Sequence, residues 1–398
     1  MDLLEIPVEQ LTFGMFVAKL DRPWTETPFV FQGFVLKSEK QLGVLKQYCK
    51  HVFVDPEKED PPEVAKVTAE DLAKIRGGTV YKEVASVEVE LPRAQKAFTN
   101  TTAVVKELSR VVESGSAIDS ARSREAAAQI TESVVRNPDA MTLLTKLQEK
   151  SGATLSRAVE ISVMMTVFGR FLQLPPDRLE ILGMLGLLQD VGKLKLPTEL
   201  SARGPVTPEE VEIYRTHVNH SVRILSDTPG VPAEIPGLAS LHHERFDGSG
   251  YPRGLRGTAI AFYGLIAGIV DAYDTLTAPQ PFGENMSPAN ALNIIYKGRG
   301  KQFHPALVEQ FIQCVGVFPI GSVVELNSGE VAVVIAQNLV RRMQPRIMIV
   351  KDAKGNPYVP YKMMDLMKEH KFKPDEPYRI LRSLEYDSVK IDPRELFL

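Results

Sequence analysis

Two segments of the 398-residue chain concentrate the groups that could do chemistry. One is Leu241-His242-His243-Glu244-Arg245-Phe246-Asp247-Gly248-Ser249-Gly250-Tyr251-Pro252, and the other, about fifty residues earlier, is Gln189-Asp190-Val191-Gly192-Lys193. Paired histidines, a bracketing acid and a glycine-rich turn can assemble a metal centre beside a phosphate, where a cation polarises a phosphodiester and activates water. Gln189 stands where such a centre would use another histidine. An amide is a poor ligand for transition metals, so this one position bears on whether the chain catalyses anything.

Five of the seven histidines, His217, His220, His242, His243 and His304, fall between residues 217 and 304. For His220 and His304 the plainer expectation is a solvated or hydrogen-bonded side chain. Neighbours on a helix point about 100° apart, so His242 and His243 serve one centre only at a helix end or among several helices. Gly248, Gly250 and Pro252 supply that end. Asp190 and Lys193, three apart, share a helix face. They read either as a carboxylate for cations with an ammonium for phosphate charge, or as a plain surface pair. Asp271, inside the apolar pattern Gly268 to Asp274, needs a buried partner, either a cation or an arginine.

The elements that must position these residues differ along the chain. Residues 1–60 mix short apolar runs, Phe29 to Leu36 and His51 to Asp55, around a helical pattern from Glu39 to Tyr48, which predicts a small α/β module. Residues 61–92, poor in large apolar side chains, read as a linker. From Pro92 the apolar positions Ala94, Ala97, Phe98, Thr101, Val104, Val105, Leu108, Val111 and Val112 recur at steps of three and four. This predicts one long amphipathic helix within a helical connector over 93–150, its stripe serving as core or as a dimer seam. Helical patterning continues, and Thr207-Pro208-Glu209-Glu210 marks a helix start. After residue 319, Ser322 to Leu326, Glu330 to Gln337 and Arg346 to Asp352 are β-branched runs separated by turn residues, a small meander followed by a charged tail to 398. The fold class is therefore multidomain and mainly α, with a helical domain flanked by a small α/β module and a short β-rich segment.

Composition narrows the function. Hydrophobic residues at 44%, charged residues at 24% and a net charge of -3 describe a soluble chain without the basic footprint of a nucleic-acid binder. No apolar run approaches the roughly 20 residues that span a bilayer, and the acidic N-terminus is unlike a signal peptide. Cys49 and Cys314 stand alone, which argues against a disulfide framework. Cytoplasmic residence is the expectation. A GxxxxGK[ST] loop is absent, which excludes a P-loop NTPase.

The order Asp190-Val191-Gly192-Lys193, His217, His242-His243-Glu244, Asp247-Gly248-Ser249-Gly250-Tyr251-Pro252-Arg253-Gly254-Leu255 and Asp271-Ala272-Tyr273-Asp274 resembles the HD-GYP family over residues 151–318. The flanking segments resemble, more loosely, members with a small N-terminal domain. The resemblance implies an all-helical domain with a binuclear or trinuclear iron or manganese centre that hydrolyses cyclic di-GMP to pGpG and GMP. By the same resemblance Asp190 would bridge the metals, His217 and His242 would bind one of them with His243 beside, and Asp271 would bind the other. Lys193 would face the scissile phosphate, with Tyr251 and Arg253 on the substrate loop.

The departures from the family pattern are Gln189 and Arg157 at histidine positions, and Gln280 and Gly283 where basic residues usually meet the nucleotide. A guanidinium stays protonated and cannot ligate. Arg157 is therefore expected to place its charge near Asp190 and Asp271, replacing one metal's charge but not its Lewis acidity. The leading expectation is a degenerate protein of cyclic di-GMP signalling that holds one iron or manganese ion, or none. It would act by binding or as a scaffold toward protein partners in that signalling, as a monomer or a homodimer. The alternative is a working, metal-dependent cyclic di-GMP phosphodiesterase.

Overall fold

The computed structural model describes residues 3–22, 27, 29, 33–36, 38–55, 68–114, 118–147, 153–278, 286–338, 341–368, 371–374 and 376–384. Two compact units divide them, a helical one from residue 68 to 315 and a β-rich one formed by the segments before and after it.

In the β-rich unit, β1 (Leu4–Pro7), β2 (Phe16–Leu20), β3 (Phe34–Val35), α1 (Glu39–Tyr48) and β4 (His51–Asp55) make the α/β module. Its antiparallel sheet has the order β1-β4-β2-β3. Alternation along His51–Asp55 buries Val52 and Val54 against Val17, Leu20, Leu36 and Leu45, the last from α1. Of the expected Phe29 to Leu36 run, residues 30–32 lie outside the described residues.

The helical unit runs through α2 (Ala69–Ile75), α3 (Val87–Glu113), α4 (Ser120–Arg136), α5 (Pro138–Leu147), α6 (Ala153–Phe171), α7 (Pro176–Leu188), α8 (Thr198–Arg203), α9 (Pro208–Ser226), α10 (Glu234–Ala239), α11 (Phe262–Thr277), α12 (Pro288–Lys297) and α13 (Pro305–Val315). The stretch expected as linker, 61–92, thus carries α2 and the start of α3, while its residues 61–67 lie outside the described residues. A capping box explains α2, since Thr68 accepts from the Asp71 N–H and Asp71 accepts from the Thr68 N–H. Helix α3 begins ahead of Pro92 because the Ser86 hydroxyl accepts from the Val89 N–H.

Ala94, Ala97, Thr101, Val104, Val105, Leu108 and Val112 of the α3 stripe are buried within the chain, so that face is core and not a dimer seam. Buried Glu90 ties α3 to α4, accepting from the Ser133 hydroxyl at 2.8 Å and from the Arg136 guanidinium at 2.8 and 2.9 Å. Helices α7 and α11 carry buried side chains on nearly all faces; the turn after α7 delivers Asp190 to the site, and α11 delivers Asp271 and Asp274. Helix α9 starts as its sequence predicts, with a Thr207/Glu210 capping box and Pro208 in its first turn.

Beyond residue 316 the sheet is larger than the expected meander. Strands β5 (Val323–Leu326), β6 (Val331–Ala336), β7 (Arg346–Lys351) and β8 (Pro357–Asp365) run in sequence, β9 (Lys371–Lys373) pairs with β10 (Glu376–Pro377), and β11 (Ile380–Ser383) returns beside β5. The returning strand escapes the sequence pattern because Ile380 is its one buried side chain, at the end of a four-residue edge strand.

One close approach in the helical unit sets the site. The turn after α7 lies against α9 so tightly that a Cβ on Gly192 would stand 2.0 Å from the His217 carbonyl oxygen and 2.4 Å from the Ser221 nitrogen. Gly192 N–H donates to the Ser221 hydroxyl at 2.8 Å across this contact. Gly192→Ala must push the turn off α9, an overpacking cost of about 1–3 kcal/mol. Thermal unfolding followed by circular dichroism should show Tm lower by about 2–12 °C; an unchanged Tm would mean the turn is free to shift.

Candidate metal centre

Asp190 follows the C-terminal end of α7, which places its carboxylate at the base of a buried cluster. One carboxylate oxygen, Oδ2, accepts from Lys193 Nζ at 2.7 Å. The other, Oδ1, lies 3.4 Å from His217 Nε2 and 3.4 Å from His242 Nε2, and the two imidazole nitrogens are 3.5 Å apart.

The tautomers follow from the other ring nitrogens. His217 Nδ1 is 2.6 Å from the Tyr214 carbonyl and His242 Nδ1 is 2.7 Å from the Ala239 carbonyl. A carbonyl only accepts, so each Nδ1 carries the proton and each neutral ring turns its Nε2 lone pair inward. Two lone pairs and a carboxylate oxygen therefore face one another, and among the described residues Asp190 Oδ1 has no hydrogen-bond partner. Three acceptors at this spacing are each about 2.0 Å from their common centre, the length of a bond from imidazole or carboxylate to a divalent transition metal. With His243, which is nearly buried, these residues offer four ligand atoms within 4.8 Å of one another. The donor set fits a metal ion. Its backbone carbonyl partners are the outer contacts that orient metal-binding imidazoles.

The electrostatics suit a cation. Burial weighs most against charge on Asp190, but the Lys193 ammonium together with the polar contacts of His217 and His242 outweighs it and holds the carboxyl well below the usual carboxylate range. Burial likewise opposes charge on Lys193, and Asp190 with Tyr214 and Asp271 reverses the sign, so that the ammonium stays protonated. Burial lowers His217, and burial with the neighbouring His242 lowers His243 well below its ordinary value, which leaves their lone pairs available near neutral pH.

His243 leads into the loop after α10. Its ring stacks on Tyr251 with centroids 4.6 Å apart, and its Nδ1 lies 3.5 Å from Asp271 Oδ2. Buried Glu244 accepts from the Arg253 N–H at 2.9 Å and the Leu255 N–H at 2.8 Å, which pins the loop to the residues that carry the histidines. Gly250 admits no side chain, because a Cβ there would stand 2.4 Å from both the His243 carbonyl oxygen and the Arg245 nitrogen. Arg215 of α9 packs its guanidinium 5.0 Å from the Tyr251 ring centre.

The opposite side of the site is different. Asp271 and Asp274 share one face of α11. Arg157, on α6, donates from Nε to Asp274 Oδ2 at 2.7 Å and from Nη2 to the Thr275 hydroxyl at 2.9 Å, with Nη2 4.0 Å from Asp271 Oδ1. The Arg157 charge reaches Asp271 as expected, but its short bond is to Asp274, which the motif reading had not singled out. Among the described residues, Asp271 Oδ1 and both amide atoms of fully buried Gln189 have no hydrogen-bond partner.

The structure thus brings together Asp190, Lys193, His217, His242, His243, Tyr251, Asp271 and Arg157. Lys193 is tied to Asp190, with 6% of its side chain exposed, rather than standing open to a substrate phosphate. Arg253 is exposed, with Nη2 donating to the Ser240 hydroxyl at 3.1 Å. His220 and His304 do not join the cluster, and Gln280 and Gly283 lie outside the described residues. Glu244 and Asp274 were quoted in the motifs but given no role. The signal for Asp274 was its i+3 spacing from Asp271 on a buried helix.

Comparison with known proteins agrees with this geometry. The chain matches the HD domain family over residues 141–307, a Domain of unknown function (DUF3391) over 3–122, and a KOW domain associated with HD domain over 323–372. It is 32% identical to Cyclic di-GMP phosphodiesterase PA4108 of Pseudomonas aeruginosa over 370 residues, covering 92% of this chain and 89% of that one. The chain belongs to the HD-domain family. Two further relatives match over shorter stretches. Cyclic di-GMP phosphodiesterase response regulator RpfG of Xanthomonas campestris is 29% identical over 43% of this chain and 46% of its own. A Cyclic di-GMP phosphodiesterase of Thermotoga maritima is 36% identical over 32% of this chain and 35% of its own. Among the described residues of this HD-domain protein, no helix is long and apolar enough to cross a membrane.

Loaded anaerobically with iron(II) or manganese(II) and desalted, the chain should retain about one ion, measured by plasma mass spectrometry. Asp190→Ala should weaken retention by more than the roughly 10- to 100-fold typical of outer-shell changes. Retention equal to wild type would remove Asp190 from the centre.

Proposed function

We propose that this chain is a metal-dependent phosphodiesterase that hydrolyses cyclic di-GMP to pGpG and GMP, working with one tightly held ion. The observation that carries the reading is the inward-facing triangle of Asp190 Oδ1, His217 Nε2 and His242 Nε2, three donor atoms spaced to share one cation. The relatives' names supply the substrate, and the full-length similarity to one of them supports hydrolysis over the binding-only role expected from Gln189 and Arg157. An ion held by Asp190, His217, His242 and His243 would polarise the phosphodiester and lower the pKa of a water.

The remaining residues orient and balance the site. Tyr214 and Ala239 hold the protons of His217 and His242 away from the centre through their carbonyls, so both imidazoles present lone pairs. Lys193 keeps Asp190 ionised and offsets its charge. Tyr251, stacked on His243, forms one wall for the bound dinucleotide, and Glu244 fixes the loop that carries it. Iron and manganese both suit histidine and carboxylate donors.

Cyclic di-GMP incubated with the manganese- or iron-loaded chain should give pGpG or GMP on chromatography. Asp190→Ala or a chelator should lower the rate by at least about 100-fold, beyond an outer-shell loss. Tight binding without any product from the loaded wild type would return the chain to a binding role.

A further inference from the structure

We infer that Arg157 is a contact for the substrate's phosphate, a fixed cation beside the one-ion cluster that takes a non-bridging oxygen of the phosphodiester. This rests on the phosphodiesterase reading above and adds to it a residue with no place among metal ligands.

The guanidinium is held rather than free. Its bonds to Asp274 at 2.7 Å and Thr275 at 2.9 Å use two of its five N–H donors and fix its plane. It is also not sealed in, because 26% of the Arg157 side chain is exposed against 3% and 10% for Asp271 and Asp274. Through Asp271 it adjoins the cluster. Nη2 is 4.0 Å from Asp271 Oδ1, and Asp271 Oδ2 is 3.5 Å from His243 Nδ1.

Charge favours the same assignment. Asp190, Asp271 and Asp274 face two fixed cations, Lys193 and Arg157, so one divalent ion leaves the cluster a single positive charge in excess, the complement of a phosphodiester anion. Without Arg157 the same cluster would have none. Lys193 is the poorer candidate for the contact, since it is 6% exposed and committed to Asp190 at 2.7 Å. A planar fork of N–H groups also matches phosphate oxygens better than a point charge does.

The test is equilibrium binding of a hydrolysis-resistant phosphorothioate analogue of cyclic di-GMP to the full, metal-loaded chain by calorimetry, with ions per chain measured on the same samples. Arg157→Gln strands Asp274 in the interior and risks misfolding, so Arg157→Gln/Asp274→Asn, which removes the pair together, is measured beside it, as is Arg157→Lys. We expect Kd to rise about 10- to 100-fold in the double variant, the loss of a charged hydrogen bond. Arg157→Lys should lose less, and ion content should stay at the wild-type value throughout. Wild-type affinity in the double variant overturns the inference and leaves the phosphodiesterase reading standing. A parallel fall in ion content overturns it as well, by moving Arg157's effect to the metal. Absence of binding in the wild type defeats both.

Discussion

The site depends on the need to compensate a carboxylate that folding takes out of water. Burying Asp190 without a counter-charge is costly enough that the group would otherwise give up its charge. Lys193 answers one oxygen. The other faces two imidazole lone pairs, and that arrangement is self-repelling unless a cation stands among them. Several features follow from this demand. The carbonyls of Tyr214 and Ala239 take the Nδ1 protons. The turn at Gly192 lies against α9 closely enough to bring His217 to Asp190. The end of α10 and the loop after it, pinned by Glu244, bring in His242 and His243.

Across the site the same demand is met differently. Asp271 and Asp274 are also buried, but their nearby cation is covalently part of the chain, the guanidinium of Arg157. A guanidinium supplies charge and oriented N–H donors, whereas a metal also supplies an open coordination position. The two halves are therefore unequal, one with unreconciled acceptors and the other with an internal ion pair. The amide of Gln189, beside Asp190 in the chain, belongs to the same asymmetry, because its two polar atoms meet no partner among the described residues. Such an arrangement is suited to a single ion working beside a fixed positive charge.

How much of this could be read in the sequence follows from the range of the interactions. Helices signalled by periodicity and caps were legible, as α9 with Thr207 and Pro208 shows, and so was the mainly helical architecture with its α/β and β-rich flanks. Helix α2 was missed because it is short and poor in large apolar side chains, although its Thr68 and Asp71 box was there to be seen. Strand β11 was missed because it is a four-residue edge strand whose pairing with β5 spans more than fifty residues. In the site, residue types and the family resemblance named the residues that gather in the cluster, but tautomers, the Glu244 pin and the choice of Asp274 as partner for Arg157 are matters of three-dimensional geometry. The Arg157 charge was placed correctly near Asp271, while its short bond to Asp274 depended on which carboxylate of α11 faces α6.

The central claim is that one ion occupies the Asp190 side while Arg157 holds the other. Anomalous diffraction from crystals of the full chain grown with manganese(II) tests it most directly. A single peak among Asp190 Oδ1, His217 Nε2 and His242 Nε2, with the Arg157 to Asp274 bond intact, is the result this account predicts. A second peak between Asp271 and Asp274 with Arg157 displaced, or no peak among the three acceptors, would contradict it.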